Sequence, residues 1–486
     1  MSIRRPLAAL VLLLALVLAA CTSPDAAPER ARGGAGDPEL VDEGLAEEVA
    51  EQTEGTAERL EALEEARAAG EVGRIERIRT APAVGWAGER LVNATGDDWE
   101  PAVAADPAAP YVYLLHNRYG GTAACASNCP DPAMILHVSS DGGATWAADQ
   151  FLCACRRVHG QFDPIIEVVP TTGTVYAVWM NDYNIVFAKS TNHGSTWSAP
   201  VPVYGNTSWG DKPNLGLSRD GRDVYILFNG PTQGDVYAAI SHDGGSTWSQ
   251  VRVTNDTRYH FDYGVTVLPS GRVLSSQISF TYSGPGGAAQ GEARIHVYAS
   301  GNGGTTWTDT VVDTVQLGSA CTSSGCYADF YDSGPVLAQD SNGDLVLIYS
   351  GASAGGGLRT MYSRSSRDGG VTWSARSAIS GAGANAAFAA AAGSGDDGAK
   401  VWFGEQRNGR WNVWYRTTTT LGGTWSAPVK ISDAVSGTVY KDANGFLEMY
   451  GDYGEIAVTN TGKTFAVWAE GASYTGPGGV WFNREQ

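Results

Sequence analysis

The chain is poor in basic residues. Its 486 residues contain 33 Lys and Arg against 52 Asp and Glu, which gives a formal net charge of −19. Because nucleic-acid binding depends on Lys and Arg contacts to phosphates, this balance argues against a nucleic-acid partner. Charged residues make up only 17% of the chain, whereas 62 Gly, 21 Tyr and 15 Trp are present. This composition is typical of a β-rich globular protein with many turns.

The apolar run at the N terminus is too short to cross a bilayer comfortably. It extends from Leu7 to Ala20 after two arginines, as in an export signal. The run ends in Leu-Ala-Ala-Cys at Cys21, which resembles the bacterial lipobox. That resemblance implies that residues 1–20 are a lipoprotein signal peptide, and that Cys21 is lipidated after cleavage. An ordinary signal peptide with a chance cysteine is the alternative. In either case we expect an extracytoplasmic protein, and with the lipobox one that is lipid-anchored to the bacterial membrane or cell surface.

An eight-residue pattern, Ser-x-Asp/Asn-x-Gly-x-Thr-Trp, recurs along the chain. Six segments follow it, the last only in part, and their tryptophans stand at positions 146, 197, 248, 307, 373 and 425. Ser, Asp and Thr side chains can bond to nearby backbone in a tight turn, and Gly permits positive φ. A period near fifty residues with strand-like sequence between the repeats predicts a β-propeller. We call each segment an octapeptide; the six are 139–146, 190–197, 241–248, 300–307, 366–373 and 418–425.

The octapeptides resemble the Asp-box, or BNR repeat, of the sialidase-like propeller superfamily. The resemblance covers residues from about 89 to the C terminus. It implies an architecture more than an activity, since catalytic and non-catalytic propellers share the box. We assign the octapeptides to the fold and none of them to catalysis.

The number of blades is predicted from the strands between the octapeptides. Seven pairs of an inner and a second strand can be counted, and the last repeat stops at its third strand. The segment Glu89–Thr95 resembles the outer strand Val251–Thr257 and could complete that repeat. Such a closure removes the open edge of the ring. We therefore predict an all-β, seven-bladed β-propeller closed by an N-terminal strand, with six blades as the alternative.

Two segments separate the signal from the propeller. Residues 21–37 are rich in Pro, Gly and Ala and are predicted to be a flexible tether. Residues 38–80 are rich in Glu, Ala, Leu and Arg, which are strong helix formers. We expect a short helical stalk, or a helix lying on the propeller that spans residues 86–486.

The remaining six cysteines form three close pairs in the sequence. An even number in an exported protein indicates disulfides. We predict a bond between Cys321 and Cys326, and cross-links between the long loop of the first blade and the strand around Cys153. Zinc is the rival interpretation, because C-x3-C plus C-x-C offers four thiolates. The other four candidates are Cys125, Cys129, Cys153 and Cys155.

Acidic and aromatic residues recur where the inner strands begin. These positions should meet around the central channel, on the face opposite the octapeptides. Carboxylates alternating with aromatic rings suit sugars, although a repeated Asp could simply cap each strand turn. The predicted ligand-binding face comprises Trp99, Glu100, Asp163, Trp209, Asp211, Asp262, Tyr331, Tyr450 and Asp452.

The superfamily resemblance also implies an exo-sialidase. That chemistry uses three arginines on the substrate carboxylate, a tyrosine nucleophile with a glutamate beside it, and an aspartate acid/base. The resemblance suggests Tyr453 or Tyr450 as the nucleophile. No Arg-Ile-Pro stands at the first inner strand, where Trp99-Glu100-Pro101 is found instead. If the protein is a hydrolase, the catalytic candidates are Tyr453, Asp332, Arg118, Arg258 and Arg407.

We prefer a binding module to an enzyme. The predicted protein is a lipid-anchored monomer that binds a glycan or a cell-surface protein in the acidic, aromatic cup. An exo-sialidase, or another glycosidase on the same face, is the alternative. No cofactor is required, and a calcium ion is compatible with an acidic channel because oxygen-only ligands suit calcium.

Overall fold

The computed structural model describes one helix and a closed ring of β-sheets. The helix comprises residues 56–69. No helix in the described part of the chain is long and apolar enough to cross a membrane. The described residues are 56–70, 81–94, 96–125, 129–152, 160–207, 209–230, 234–282, 289–316, 334–353, 357–408, 410–432, 441–442, 445–446, 454–471 and 477–486.

Seven four-stranded antiparallel sheets form the blades of the ring. The predicted seven-bladed propeller is therefore confirmed. In blades 1 to 6 the strands follow in chain order from the channel outward. The bounds are: blade 1, β2 (Asp97–Ala105), β3 (Val112–Tyr119), β4 (Ala133–Ser139), β5 (Gln150–Phe151); blade 2, β6 (Gln161–Val168), β7 (Val175–Asn181), β8 (Ile185–Ser190), β9 (Val201–Pro202); blade 3, β10 (Asp211–Leu217), β11 (Val224–Asn229), β12 (Val236–Ser241), β13 (Ser249–Arg252); blade 4, β14 (Tyr259–Val267), β15 (Val273–Tyr282), β16 (Ala289–Ser300), β17 (Thr308–Gln316); blade 5, β18 (Val336–Gln339), β19 (Leu345–Gly351), β20 (Thr360–Ser366), β21 (Ser377–Ala378); blade 6, β22 (Asn385–Gly393), β23 (Ala399–Arg407), β24 (Arg410–Thr418), β25 (Val429–Lys430).

Blade 7 is closed by the N-terminal strand, as predicted. It contains β28 (Gly454–Val458), β29 (Thr464–Gly471), β30 (Gly478–Arg484) and β1 (Arg90–Leu91). Arg90 is paired with Phe482, and its Nη1 donates to the Ala144 carbonyl at 2.9 Å. This strand pairing removes the edge that β30 would otherwise expose. A separate hairpin joins β26 (Lys441–Asp442) to β27 (Gly445–Phe446).

The hydrophobic core lies between neighbouring blades. Every residue of the second strand β3 is buried, because blades 7 and 2 cover its two faces. Alternate side chains of β3 enter different clusters: Tyr113 packs with Trp179 of blade 2, and Leu114 packs with Val467 of blade 7. Side chains alternate across a strand, so one blade can contribute to both interfaces.

The octapeptides are tight turns that also connect blades. In the first, Thr145 N donates to Asp141 Oδ1 at 2.8 Å, and Gly143 N donates to Ser139 Oγ at 2.8 Å. Gly143 has φ +74°, and a Cβ there would lie 2.6 Å from the Phe482 ring of blade 7. Glycine is therefore needed both for the turn and for close contact with the preceding blade.

One disulfide is found in the described residues, and it corrects the predicted pairing. Cys125 bonds to Cys129 within the same loop, with their Cα atoms 5.9 Å apart. These two cysteines are therefore neither cross-linked to Cys153 or Cys155 nor free as zinc ligands. The other cysteines named above lie outside the described residues.

Candidate functional site

The seven inner strands enclose a central channel of about 500 Å³. Its walls include side chains from β2, β6, β10, β14, β18, β22 and β28. The octapeptides lie on the face that also carries the first-to-second strand turns; for example, Gly244 N donates to the Arg222 carbonyl at 2.9 Å. The other end of the channel, where the inner strands begin, is called the channel mouth.

The inner strands are bulged at the channel mouth. The pairing register shifts in β2, β6 and β10 at Glu100, Asp163 and Lys212, respectively. These residues have φ values of 51°, 52° and 47°, and a proline follows each of them. Positive φ is unusual for such residues, and strained backbone is often found at binding sites. The bulges place three charged residues at equivalent points of three adjacent blades.

The acidic side chains of these bulges bind the backbone of the next blade. Glu100 Oε2 accepts from Asp163 N at 2.8 Å, and Asp163 Oδ2 accepts from Lys212 N at 3.2 Å. Asn117 Nδ2 also donates to Glu100 Oε2 at 2.6 Å. The repeated carboxylates thus satisfy backbone donors and hold the mouth of blades 1 to 3 in one shape.

Glu167 and Glu455 lie deeper in the channel, and their negative charges repel each other. Burial raises the pKa of Glu167 to about 7. Burial and repulsion from Glu167 raise the pKa of Glu455 well above its usual range, although Val103 N donates to its Oε2 at 2.6 Å. Like charges in a site of low polarity disfavour ionisation of both groups. The pair therefore retains a proton at a pH where exposed glutamates are ionised.

Asp262 is a third perturbed carboxyl of the channel wall. Its side chain is 2% exposed, and burial raises its pKa to about 8. Ser275 donates to Oδ1 through its hydroxyl. The neighbouring inner strand β10 is linked to this residue as well, because Asn214 Nδ2 donates to the Asp262 carbonyl at 2.9 Å. Asp262 is mainly neutral at pH 7.

The predicted aromatic wall is packed into the blade interfaces. Trp99 is 2% exposed and Trp209 is 8% exposed, and both belong to the cluster that joins blades 1 to 3. Trp99 Nε1 donates to Asp97 Oδ1 at 2.5 Å. Asp211 begins β10 and is partly exposed. In this conformation neither tryptophan ring is available for stacking with a sugar.

The three predicted arginines are each held by groups of their own blade. Arg118 binds Asp98 with Nε at 2.6 Å and also contacts Asp149. Arg258 donates to Ser279 Oγ at 2.9 Å, to the Ser279 carbonyl at 3.0 Å and to the Glu292 carbonyl at 3.0 Å.

The third arginine, on blade 6, is also engaged. Arg407 Nε lies 2.5 Å from Glu405 Oε1, and its guanidinium is 3.5 Å from the ring centre of Trp414. The candidates therefore stand on blades 1, 4 and 6, and the structure gives each of them a local partner. The remaining candidates, Tyr331, Asp332, Tyr450, Asp452 and Tyr453, lie outside the described residues.

Two buried histidine networks were not predicted. In blade 1, His116 Nε2 lies 2.9 Å from His137 Nε2, and burial lowers the pKa of His137 to about 3. In blade 4, Ser279 Oγ lies 2.7 Å from His296 Nε2, whose Nδ1 is 2.9 Å from Asp309 Oδ1. The second network has the connectivity of a Ser-His-Asp triad.

The Ser279 hydroxyl is fully buried, however, and it accepts from Arg258. It satisfies polar groups inside a sheet and offers no nucleophile to a ligand. In the sequence, the two histidine networks are marked by polar residues on strands whose other residues are mostly apolar.

A cluster of three carboxylates lies on the octapeptide face. Asp340, Asp344 and Asp397 have oxygens within 4.8 Å of one another, which a metal ion could use. Arg367 already contacts two of them, with Nη1 2.5 Å from Asp344 Oδ2 and Nη2 2.6 Å from Asp397 Oδ1. The arginine supplies the positive charge that an ion would bring, and the cluster is remote from the channel mouth.

Comparison with known proteins gives structural neighbours only. No protein-family model matches the sequence, and no curated protein matches it. A Dyadobacter fermentans protein of unknown function is 14% identical with a TM-score of 0.44, covering 82% of this chain and 99% of its own.

Two of the other neighbours are carbohydrate-active enzymes. The intramolecular trans-sialidase of Ruminococcus gnavus is 14% identical with a TM-score of 0.43, covering 84% of this chain and 98% of its own. A polysaccharide lyase, a PL25 ulvan lyase, is 10% identical with a TM-score of 0.49, covering 82% and 95%. At these values the likeness assigns no activity to this chain.

Proposed function

We propose that this propeller is a binding module that takes a glycan at the channel mouth and does not hydrolyse sialosides. The observation that supports this proposal is that hydrogen bonds and ion pairs already engage the three candidate arginines. Arg118, Arg258 and Arg407 are each engaged within a different blade. A sialidase needs such side chains to converge on one substrate carboxylate, and freeing them would break hydrogen bonds that stabilise the blades.

The channel mouth has the chemistry of a sugar site. Lys212, Asn214 and Tyr263 are partly exposed and line the channel wall. Lysine and amide groups donate to sugar oxygens, and a tyrosine ring can pack on the C–H face of a pyranose. The channel volume of about 500 Å³ is in the range of small-ligand sites. The bulges support this use because they fix the mouth before a ligand arrives.

Binding can be tested with defined oligosaccharides. Maltoheptaose, cellohexaose, chitohexaose and 3′-sialyllactose would be titrated by calorimetry against the protein and against Lys212→Gln and Tyr263→Ala. We expect at least one sugar to bind, with affinity reduced tenfold or more in both variants. Lys463→Gln is the matched control, because Lys463 is exposed on the turn between β28 and β29 at the opposite face. Equal affinity in all variants would overturn the proposed site.

Hydrolysis is tested separately. We expect no release of sialic acid from a fluorogenic sialoside. Release by the protein that is lost in Tyr453→Phe would contradict the binding-module proposal and favour the exo-sialidase.

We also propose that the protein is exported and lipid-anchored through Cys21. This rests on the Leu-Ala-Ala-Cys segment that follows the apolar run. Metabolic labelling with an alkyne fatty acid should mark the protein but not Cys21→Ser. Labelling of both would contradict the assignment of Cys21.

A further inference from the structure

We propose that the helix of residues 56–69 is a displaceable cover over an aromatic subsite beside the channel mouth, with Arg59 filling the place of a ligand. This inference rests on the proposed function, because it concerns access to the same site. The subsite comprises Trp99, Tyr119 and Asp97. Trp99 directly precedes Glu100, the bulge residue of the mouth.

The Arg59 side chain lies against two aromatic rings of blade 1. Its guanidinium carbon is 4.6 Å from the ring centre of Trp99 and 5.2 Å from that of Tyr119. The residue is 7% exposed, and the two rings are 2% and 6% exposed. Desolvated contacts of this kind are stronger than exposed ones. The arginine therefore covers ring surface that could otherwise receive a flat cation or a sugar ring.

A buried carboxylate completes the subsite. Asp97 is 0% exposed, and its Oδ1 accepts from Trp99 Nε1 and from Gly478 N, each at 2.5 Å. Its Oδ2 has no hydrogen-bond partner among the described residues. Burial raises the pKa of Asp97 to about 6, and the positive charge of Arg59 acts in the opposite direction. An acceptor with spare capacity behind two aromatic rings is a combination that favours a ligand with N–H or O–H donors.

The helix is attached through three side chains. Arg59 and Leu63 are buried and Leu60 is partly buried against the core cluster of blades 1 to 3, whereas the glutamates of the helix are exposed. Leu63 lies over Gly120, where an added Cβ would be 2.4 Å from its Cδ2. A fourteen-residue helix is marginal in water on its own, so its order depends on this contact. Loss of the Arg59 contact should release the cover without unfolding a blade.

The two variants that test the cover are Arg59→Ala and Glu65→Ala. Glu65 is the control, because its side chain is exposed on the same helix. Hydrogen exchange measured on the full chain should show at least tenfold faster exchange of residues 56–69 in Arg59→Ala and little change in Glu65→Ala. Affinity for the best oligosaccharide of the panel should rise at least fivefold in Arg59→Ala only.

The outcomes are distinguishable from failure of the proposed function. Unchanged exchange in Arg59→Ala overturns the cover, and so does faster exchange with equal or weaker sugar binding. If no oligosaccharide binds any variant, the proposed function fails, and methylguanidine is used as the probe of the subsite. Binding of methylguanidine to Arg59→Ala but not to the unaltered protein, with methylammonium as control, would then support the cover; equal binding to both would overturn it.

Discussion

Arg118 and Asp98 form a bidentate ion pair inside blade 1, with Nε 2.6 Å from Oδ1 and Nη2 3.0 Å from Oδ2. Asp98 is fully buried, and Asn93 also donates to it at 3.0 Å. The pKa of Asp98 is lowered even though burial acts to raise it, because the charges of His116 and Arg118 and the hydrogen bonds from Arg118 and Asn93 favour the charged form. The guanidinium is therefore a structural partner of a buried charge.

Removal of this guanidinium should destabilise the propeller. Arg118→Met leaves Asp98 as an uncompensated buried carboxylate, which costs about 3–5 kcal/mol. Urea unfolding should show this loss. Arg294→Met is the matched control: its pair with Glu292 is exposed on both sides, so a change of at most about 1 kcal/mol is expected. Equal stability of the two variants would contradict the structural assignment of Arg118.

The octapeptide aspartates should tolerate Asn but not Ala. Asp243 accepts from Thr247 N at 2.8 Å and Thr247 Oγ1 at 2.6 Å. Asn192 contacts the same two atoms of Thr196: its Oδ1 accepts from Thr196 N and its Nδ2 donates to Thr196 Oγ1. Asp243→Ala should destabilise the protein because backbone donors of the turn lose their acceptor, and Asp243→Asn should destabilise it less. Thermal unfolding of both variants checks this, and a larger loss for Asn than for Ala would be inconsistent with it.

The same turns should weaken in acid. The Thr372 and Ser366 hydrogen bonds lower the pKa of Asp368 to about 2, from a usual value of 3.8. A depressed folded-state pKa stabilises the protein above pH 3.8, and this stabilisation is lost as the pH falls through 2. The stability of Asp368→Asn should therefore depend less on pH between 4 and 2 than that of the unaltered protein, as measured by unfolding at fixed pH values.

Glu167 should destabilise the folded protein as the pH rises from 4.5 to about 7 and above. Its pKa is raised from 4.5 to about 7, so the folded state keeps a proton that the unfolded chain releases. The stability difference is absent below pH 4.5 and grows as the pH rises to about 7. Glu167→Gln should thus be more stable than the unaltered protein above pH 8, by about 3 kcal/mol, and equally stable at pH 4.

The control for this prediction is Glu64→Gln on the exposed side of the helix. Unfolding measured from pH 4 to 9 should show no difference for it. A Glu167→Gln profile parallel to that of the unaltered protein would contradict the burial of this carboxyl.

The closing strand should keep the protein monomeric. A chain that begins at residue 97 lacks β1 and exposes the edge of β30, whereas one that begins at residue 82 keeps the Arg90–Phe482 pairing. Exposed edges pair with other chains. Light scattering should show association of the shorter chain only. A monomer of equal stability in both cases would indicate that β1 is dispensable.

The fold was predictable because its determinants are local. The octapeptide turn is specified within eight residues, its spacing predicts a propeller, and the strand pairs between the octapeptides give the number of blades. Glu89–Thr95 was placed as the closing strand by its likeness to an outer strand, and β1 pairs with β30 there. Each of these inferences needed only neighbouring residues or the period of the repeat.

The candidate site was less predictable because its determinants are distant in the chain. Glu100 and Asp163 lie in the first halves of β2 and β6, at bulges that the sequence pattern does not show, and a bulge reverses which way a side chain points. Trp99 was expected in an open cup, whereas Arg59 lies on its ring from forty residues upstream.

The octapeptide contacts run in one direction around the ring and are weakest at blades 6 and 7. The glycine at the fifth position of an octapeptide packs on the preceding blade: Gly194 on Val138, Gly245 on Phe187 and Gly304 on Ile240, with distances from an added Cβ of 3.1, 2.4 and 2.6 Å. The sixth turn packs more loosely on blade 5, since an added Cβ at Gly422 would be 3.7 Å from Ser363, and blade 7 has no octapeptide. Blades 6 and 7 are joined instead by shared core residues and by Lys400, whose Nζ contacts Glu485 and Thr464 at 2.8 Å each. Native-state opening of the ring should therefore begin at blade 6 and leave blades 1 to 4 closed.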